Sequence, residues 1–358
     1  MKLYSMVLPY LLLVSFGVEL NTFDQAKIEI INNSPYQGVA VPLVSHYDTR
    51  NPRLLDFTEA VQRIKGLCRK QVWPWVFFNR FIGFKDVGNK NDPGDQEYFR
   101  NIKGMDLFNE AGALGDFYHL WRLSLKIAKE VGSPGIFVDP ESYNNYSNYQ
   151  LSYLAGQLGR SPEETEKRLK AVGGELMRIA SEEYPEAILW FNFTGIATPL
   201  SLFKPTGHNE LMTTAFIAQG MLEQARKTGG KVKIVSGGGV SLTGCSESLA
   251  KLKEKIEIRK KQYAPLLAAY PNLALGAPLV IWADSRQKKG WTLGGECGKS
   301  QLKDLNDFKP LISHLLETYD YVWIYAAGDA GYEAYDAEVS AIYIKALGEI
   351  PLPNRTSR

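Results

Sequence analysis

Two carboxylates, Asp139 and Glu141, close the phrase Gly135-Ile136-Phe137-Val138-Asp139-Pro140-Glu141-Ser142-Tyr143. An apolar strand runs into two acids spaced i, i+2, and side chains alternate along a strand, so both are expected on one side at its end. Two adjacent carboxylates repel, and one tends to keep its proton. A protonated acid beside an ionised one is what cleavage of a glycosidic bond requires. The plainer use of the same residues is an Asp capping the next helix and a solvated Glu.

The elements that must position these acids can be read from periodicity. Short β-rich runs alternate with long amphipathic segments, the pattern of repeated βα units and a parallel sheet. The expected strands are 10–17, 38–44, 72–79, 135–139, 188–193, 232–236, 278–283 and 321–326. The expected helices are Phe57 to Leu67, Phe117 to Val131, Ser161 to Glu183, Glu210 to Thr228, Ser246 to Ala269, Leu302 to Thr318 and Ala337 to Leu347. In the third of these, Ser161 caps, Pro162 suits the first turn and Glu163 and Glu164 favour the dipole. Strand and helix counts match an α/β fold of the (βα)8 TIM-barrel type, in one domain over 1–358. Pro42 and Pro74 fall inside proposed strands, where each predicts a bulge or a shifted boundary. A doubly wound open sheet is the rival fold, but no Gly-x-Gly-x-x-Gly follows the first strand.

Residues 1–17 carry two readings. Met1-Lys2 and the apolar run Val7 to Val14, followed by Ser15-Phe16-Gly17, resemble a short signal peptide. The same run supplies the first strand, with Asn21 capping a helix over Phe23 to Ile31, and the strand count favours this reading. Secretion or a cytoplasmic location follows from one or the other. The run is too short to span a membrane, so no integral membrane segment is expected.

Composition narrows the partners. The chain has 358 residues, 45% of them hydrophobic, enough for a large core. Charge is nearly balanced, 41 basic against 39 acidic residues, which argues against nucleic acid. Aromatic residues reach 12%, in keeping with faces that stack on sugar rings. Cys68, Cys245 and Cys297 lack metal-ligand spacing and define no disulfide framework. His46, His119, His208 and His314 are scattered, and no Gly-x-Ser-x-Gly elbow occurs. Neither a cofactor nor a metal is expected, and oligomeric state is not encoded in any legible way. Four Asn-x-Ser/Thr patterns, at Asn32, Asn145, Asn192 and Asn354, matter only in a eukaryotic secretory host.

In a barrel, chemistry sits at the C-terminal strand ends. Those ends carry Glu19, His46, Asn79 with Arg80, Asp139 with Glu141, Asn192 with Thr194, and Ser236 followed by three glycines. Trp282 with Asp284 and Arg286, then Trp323 with Tyr325, complete the rim. Aromatic platforms beside acids, amides and arginines suit a carbohydrate substrate. Taken singly, Asn192 could be a cap, Trp282 a core residue and His46 a surface histidine.

The phrase GIFVDPESY resembles the fourth-strand motif of chitinase-like glycoside hydrolases, within the wider (βα)8 glycoside hydrolase superfamily. The stretches VWPWVFFNRFIG, AFIAQGMLEQA and YDYVWIYAAG are similar to segments of poorly characterised bacterial proteins grouped with glycosidases. The resemblance implies Glu141 as general acid, with Asp139 supporting it and a substrate acetamido group. Two departures accompany it. Phe137 stands where chitinase-like enzymes carry a further Asp, and Ser236-Gly237-Gly238-Gly239-Val240 follows the sixth strand where a polar or acidic group is expected. The glycines either admit a close-lying substrate or mark a lost carboxylate, which leaves a non-catalytic carbohydrate-binding barrel as the alternative.

The mechanism expected is acid/base hydrolysis of an oligo- or polysaccharide. Glu141 protonates the leaving oxygen. The second carboxylate is Asp139, in a substrate-assisted reaction, or Asp284, opposite across an eight-stranded barrel. Asp284 also has a bland reading as an ion pair with Arg286. Trp282, Trp323, Tyr325 and Tyr143 are the candidate stacking platforms. Asn79 and Arg80 are candidates for hydroxyl or anionic groups, and Glu19, His46, Asn192 and Arg286 for further substrate contacts.

Overall fold

The computed structural model describes residues 11–15, 29, 32–33, 36–42, 57–67, 70–77, 107–140, 149–197, 211–238, 248–283, 291–292, 301–302, 305–326, 345 and 348–350. Its elements run β1 (Leu11–Ser15), β2 (Gly38–Pro42), α1 (Phe57–Leu67), β3 (Gln71–Phe77), α2 (Ala113–Glu130), β4 (Gly135–Asp139), α3 (Leu151–Leu158), α4 (Pro162–Glu183) and β5 (Ile188–Phe191). They continue with α5 (Thr213–Thr228), β6 (Lys233–Ser236), α6 (Leu249–Ala269), β7 (Leu273–Ala283), β8 (Trp291–Thr292), β9 (Gln301–Leu302), α7 (Leu305–Thr318) and β10 (Tyr321–Ala326).

Strands β1 to β7 pair in parallel in chain order, and β10 pairs in parallel with both β7 and β1. The result is a parallel α/β sheet curled upon itself. Strands β8 and β9 form a small antiparallel extension from the end of β7. The expected helix at Ala337 to Leu347 and the one capped by Asn21 fall almost wholly outside the described residues.

Strand alternation sorts side chains into two cores. In β4, Ile136 and Val138 face outward into a cluster with Leu120 and Leu125 of α2 and Leu169 and Leu176 of α4. Phe137 faces inward with Trp73, Trp75, Trp190, Val235 and Trp323. The inner rings meet edge to face: Phe137 lies 5.5 Å from Trp75, 5.5 Å from Trp323 and 6.0 Å from Trp190. Such pairs contribute about 0.5–1.5 kcal/mol each beyond the area they bury.

The longest helix begins as its sequence dictates. Ser161 accepts from the Glu164 N–H at 3.1 Å while Glu164 accepts from the Ser161 N–H at 3.1 Å, with Pro162 opening the first turn. Helices α4 and α5 cross backbone to backbone through glycines. A methyl group on Gly173 would lie 2.0 Å from the Ile217 carbonyl oxygen, and one on Gly220 would lie 1.9 Å from that of Lys170.

Four elements differ from the sequence reading. Pro74 sits in an unbroken register, Gly38↔Gln71 through Pro42↔Trp75, so neither proline bulges the β2–β3 pair, while β2 ends at Pro42 instead of 44, the shifted boundary expected there. Pairing of β3 with β4 starts at Trp75, just past the residue that lacks a donor. Strand β7 begins at Leu273, five residues before the expected 278. Helix α3 has no counterpart among the expected elements; it starts after Gln150 without a side-chain cap, which removes the usual signal. The β8–β9 pair is likewise not among the expected strands, and Leu302, expected to open a helix, ends β9, with α7 beginning at Leu305. Among the described residues, no helix is long and apolar enough to cross a membrane.

Candidate active site

The inward positions of β4 and β5 change character at the strand ends. One layer down they place Phe137 against Trp190. Two residues further along each chain come Asp139 and Asn192, both buried, at 1% and 3% exposure. The Asn192 Nδ2–H donates to Asp139 Oδ1 at 3.0 Å. Asn192 Oδ1 accepts from the Phe193 N–H at 2.7 Å, which fixes which way the amide points. The Asn192 N–H donates to Val138 O at 2.9 Å and continues the ladder past the end of β5. A buried carboxylate is costly unless donors surround it, and Asn192 is one such donor.

The chain leaving β4 is tied down on its far side. Tyr149 donates its hydroxyl to Pro140 O at 3.3 Å and packs edge-on against Phe193 at 6.1 Å, with Met212 alongside. Glu141 and Tyr143 belong to the segment between these two anchors, outside the described residues.

Behind the ends of β5 and β6 lies a buried hydroxyl group of three. Ser236 Oγ is 3.0 Å from Thr194 Oγ1 and 3.1 Å from the Tyr263 hydroxyl, and Thr194 and Tyr263 are 3.5 Å apart. Ser236 alternates with the inward Val235, so it faces the helices. Next to it Arg259 of α6 is fully buried, at 0% exposure. Its guanidinium donates to Ser236 O at 2.6 Å and to Gly276 O. The Tyr263 and Tyr319 rings lie 5.3 and 5.5 Å from its central carbon, placing aromatic faces against the cation.

The glycines after β6 have a packing reason. Gly237 donates its N–H to Phe191 O at 2.7 Å, and its own carbonyl accepts from Trp323 Nε1 at 3.1 Å. A methyl group there would lie 2.5 Å from Phe191 O and 2.8 Å from Asn192 O. Gly238 has φ +98°, and a methyl group on it would lie 3.1 Å from the Arg259 guanidinium. A side chain at either position would meet these neighbours at once. Gly239 lies outside the described residues.

Of the other expected site residues, Trp323 requires a correction. It is 3% exposed, with its ring edge-on to Phe137 and its N–H committed to Gly237, so it belongs to the interior aromatic layer beneath the strand ends. Alternation gave its face but not its depth. The backbones of Trp282 and Tyr325 lie in β7 and β10, Trp282 opposite Thr292 and Tyr325 opposite Val280 and Ser15. Glu19, His46, Asn79, Arg80, Asp284 and Arg286 are outside the described residues.

Sequence reasoning passed over Arg259, which sits among lysines in the helix expected over Ser246 to Ala269. A signal was present: the buried residues of α6 are Leu252, Ile256, Arg259 and Tyr263, spaced as one apolar stripe with an arginine inside it.

No protein-family model and no curated protein matches the sequence. Solved structures do resemble the fold. Endo-glycoceramidase II from Rhodococcus sp., in complex with a five-membered iminocyclitol, superposes with a TM-score of 0.51 at 11% identity, covering 94% of this chain and 78% of that one. A GH5-4 broad-specificity endoglucanase from Clostridium longisporum gives 0.47 at 9% identity, covering 92% and 87%. A sugar phosphate isomerase/epimerase from Parabacteroides distasonis gives 0.45 at 10% identity, covering 97% and 99%. At these identities the likeness concerns the fold alone.

Proposed function

We propose that the chain is a single-domain (βα)8-barrel glycoside hydrolase that cleaves O-glycosidic bonds by carboxylate acid/base chemistry. The observation that carries this reading is the buried Asp139–Asn192 pair at the ends of β4 and β5. The same two strands supply Phe137 and Trp190 one layer below, so an apolar continuation was available. A buried carboxylate in its place lowers stability relative to that continuation, and such departures from packing logic concentrate at functional sites. Active sites of parallel βα folds gather at the C-terminal ends of the strands.

In this reading Glu141 donates a proton to the leaving glycosidic oxygen. Asp139 stays ionised, held by Asn192, and its charge keeps the Glu141 proton in place until the bond breaks. Asp284 is the second carboxylate, as nucleophile or as base for an attacking water. A carboxyl separation of about 5–5.5 Å gives retention and about 6.5–9.5 Å gives inversion. Trp282, Tyr325 and Tyr143 are the proposed stacking groups. Asn79, Arg80, Glu19, His46 and Arg286 are the proposed polar contacts. The close packing of Gly237 and Gly238 accounts for those glycines without a lost carboxylate, which weakens the argument for a binding-only barrel.

The test is reducing-end release from neutral, amino, uronic and sulfated polysaccharides by wild type and Glu141→Gln. The expected result is turnover of one class that falls about 100-fold or more in the variant. Equal rates in both proteins would remove Glu141 from the mechanism. Silence of wild type across the whole panel would overturn the hydrolase assignment.

A further inference from the structure

Strand β7 lies between β6 and β10, and its two ladders are staggered along its length. Its ladder to β6 runs from Leu273 to Leu275, opposite Ile234 to Ser236. Its ladder to β10 runs from Gly276 to Ile281, opposite Tyr321 to Ala326. Beyond Ser236 the chain of β6 keeps its ladder to β5, Gly237 donating to Phe191 O, while its ladder to β7 stops. The two strands therefore part at Ser236 and Gly276, and the carbonyls of those two residues are the pair that Arg259 bridges. One guanidinium, rooted in α6 and fully buried, spans the fork on its helix side. Trp323 reaches the inner side through Gly237 O. Among the described residues no ion pair engages Arg259, so the cation is held by carbonyls and aromatic faces rather than by a carboxylate.

We propose that Arg259 is a positioning residue, whose forked donors stand in for the missing β6–β7 hydrogen bonds and set the course of β7 from Gly276 to Ala283. That half-strand carries Trp282 and leads directly into Asp284, so its course sets where the second carboxylate of the hydrolase reading is delivered. The inference rests on that reading for its catalytic consequence, and on the coordinates alone for the clamp. A planar guanidinium is required because it presents two donors at fixed separation; an ammonium is a single point on a flexible stem. Gly238 is part of the same device, since its missing side chain leaves room for the guanidinium.

The test uses full-length Arg259→Lys and Arg259→Met, read by circular dichroism, by amide hydrogen exchange and by kcat and KM on the substrate found in the panel. For Arg259→Lys, native secondary structure is expected, with amides of 276–283 exchanging about tenfold faster or more while those of β4 and β5 keep their protection. Turnover is expected to fall about tenfold or more with KM changed less than about threefold, since displaced catalytic groups cost rate before binding. Wild-type exchange and wild-type kcat in Arg259→Lys would overturn the proposal, as would faster exchange spread evenly over all strands. A rise in KM with kcat unchanged would overturn the link to Asp284. If Arg259→Met does not fold, Arg259→Lys carries the test. If wild type turns over no polysaccharide, the hydrolase reading fails, and the exchange experiment still decides the clamp.

Discussion

Asn192 and Asp139 hold each other at the ends of adjacent strands, amide nitrogen to carboxylate oxygen at 3.0 Å, both buried. A hydrogen bond to a charged group contributes about 1.5–3 kcal/mol, and a buried carboxylate that loses a donor keeps its desolvation cost. Asn192→Ala is therefore expected to lower unfolding free energy by about 2–3 kcal/mol. Urea unfolding measures it, and a loss under about 0.5 kcal/mol would mean that the amide does not support the acid.

Helix crossing supplies a second case. Gly220→Ala puts a methyl group 1.9 Å from the Lys170 carbonyl oxygen, backbone that does not swing aside. Overpacking of this kind costs about 1–3 kcal/mol or more. Gly156 in α3 has nothing within 4 Å of the same added carbon, so Gly156→Ala is expected to stabilise by about 0.5–1 kcal/mol through helix propensity. Opposite signs from two helical glycines in paired melts are the predicted signature. The same sign at both would discount the close approach.

Removal of the α4 cap tests local structure alone. Ser161→Ala removes the hydroxyl that accepts from the Glu164 N–H and leaves only the backbone arm to the Glu164 carboxylate, at a cost of about 0.5–2 kcal/mol. Glu164→Gln, which keeps the acceptor, should retain most of that stability in the same urea titration.

Alkaline pH probes the inner core. Burial, and then the charge of Asp320, push the Tyr321 phenol from its ordinary 10.0 up to about 12. Burial likewise raises Tyr36, Tyr118 and Tyr184. A group whose folded value is raised binds its proton more tightly when folded, so its contribution is complete below the unfolded value and lost as pH rises through the folded one. For Tyr321 that window lies between 10.0 and about 12. Phenolate absorbance of these tyrosines should therefore lag behind that of exposed ones, and appear together with loss of far-UV dichroism. Simple, complete titration near the ordinary value in native protein would contradict the burial.

Much of this was legible in the chain, for reasons that can be named. Strand β4 and helix α1 have the expected bounds because turn residues and periodicity agree there. The α4 start followed from Ser161, Pro162 and Glu164. The first strand, expected at 10–17, is present at Leu11–Ser15. The start of β7 was hidden by Pro271, Gly276 and Pro278, which read as loop, although Gly276 opens the β10 ladder. Asp139 and Asn192 could be nominated because each ends an apolar run. That they touch depends on β4 pairing with β5 in register, Val138 opposite Phe191, which no single strand reveals. Trp323 and Arg259 were missed in different ways: an aromatic at a strand end was taken for a surface, and one cation among several in a basic helix was not singled out. Both errors concern depth, and depth is a property of the packed layers rather than of spacing.

The pairing of Leu11–Ser15 with Tyr321–Tyr325 bears on how the molecule is made. On a ribosome, β1 can soon meet β2, but its other neighbour, β10, emerges only after β2 to β9 have been made. Until then one side of β1 offers bare N–H and C=O groups to any passing strand. Loop closure over so long a separation is slow, and the exposed interval is when a parallel sheet is most open to misassembly.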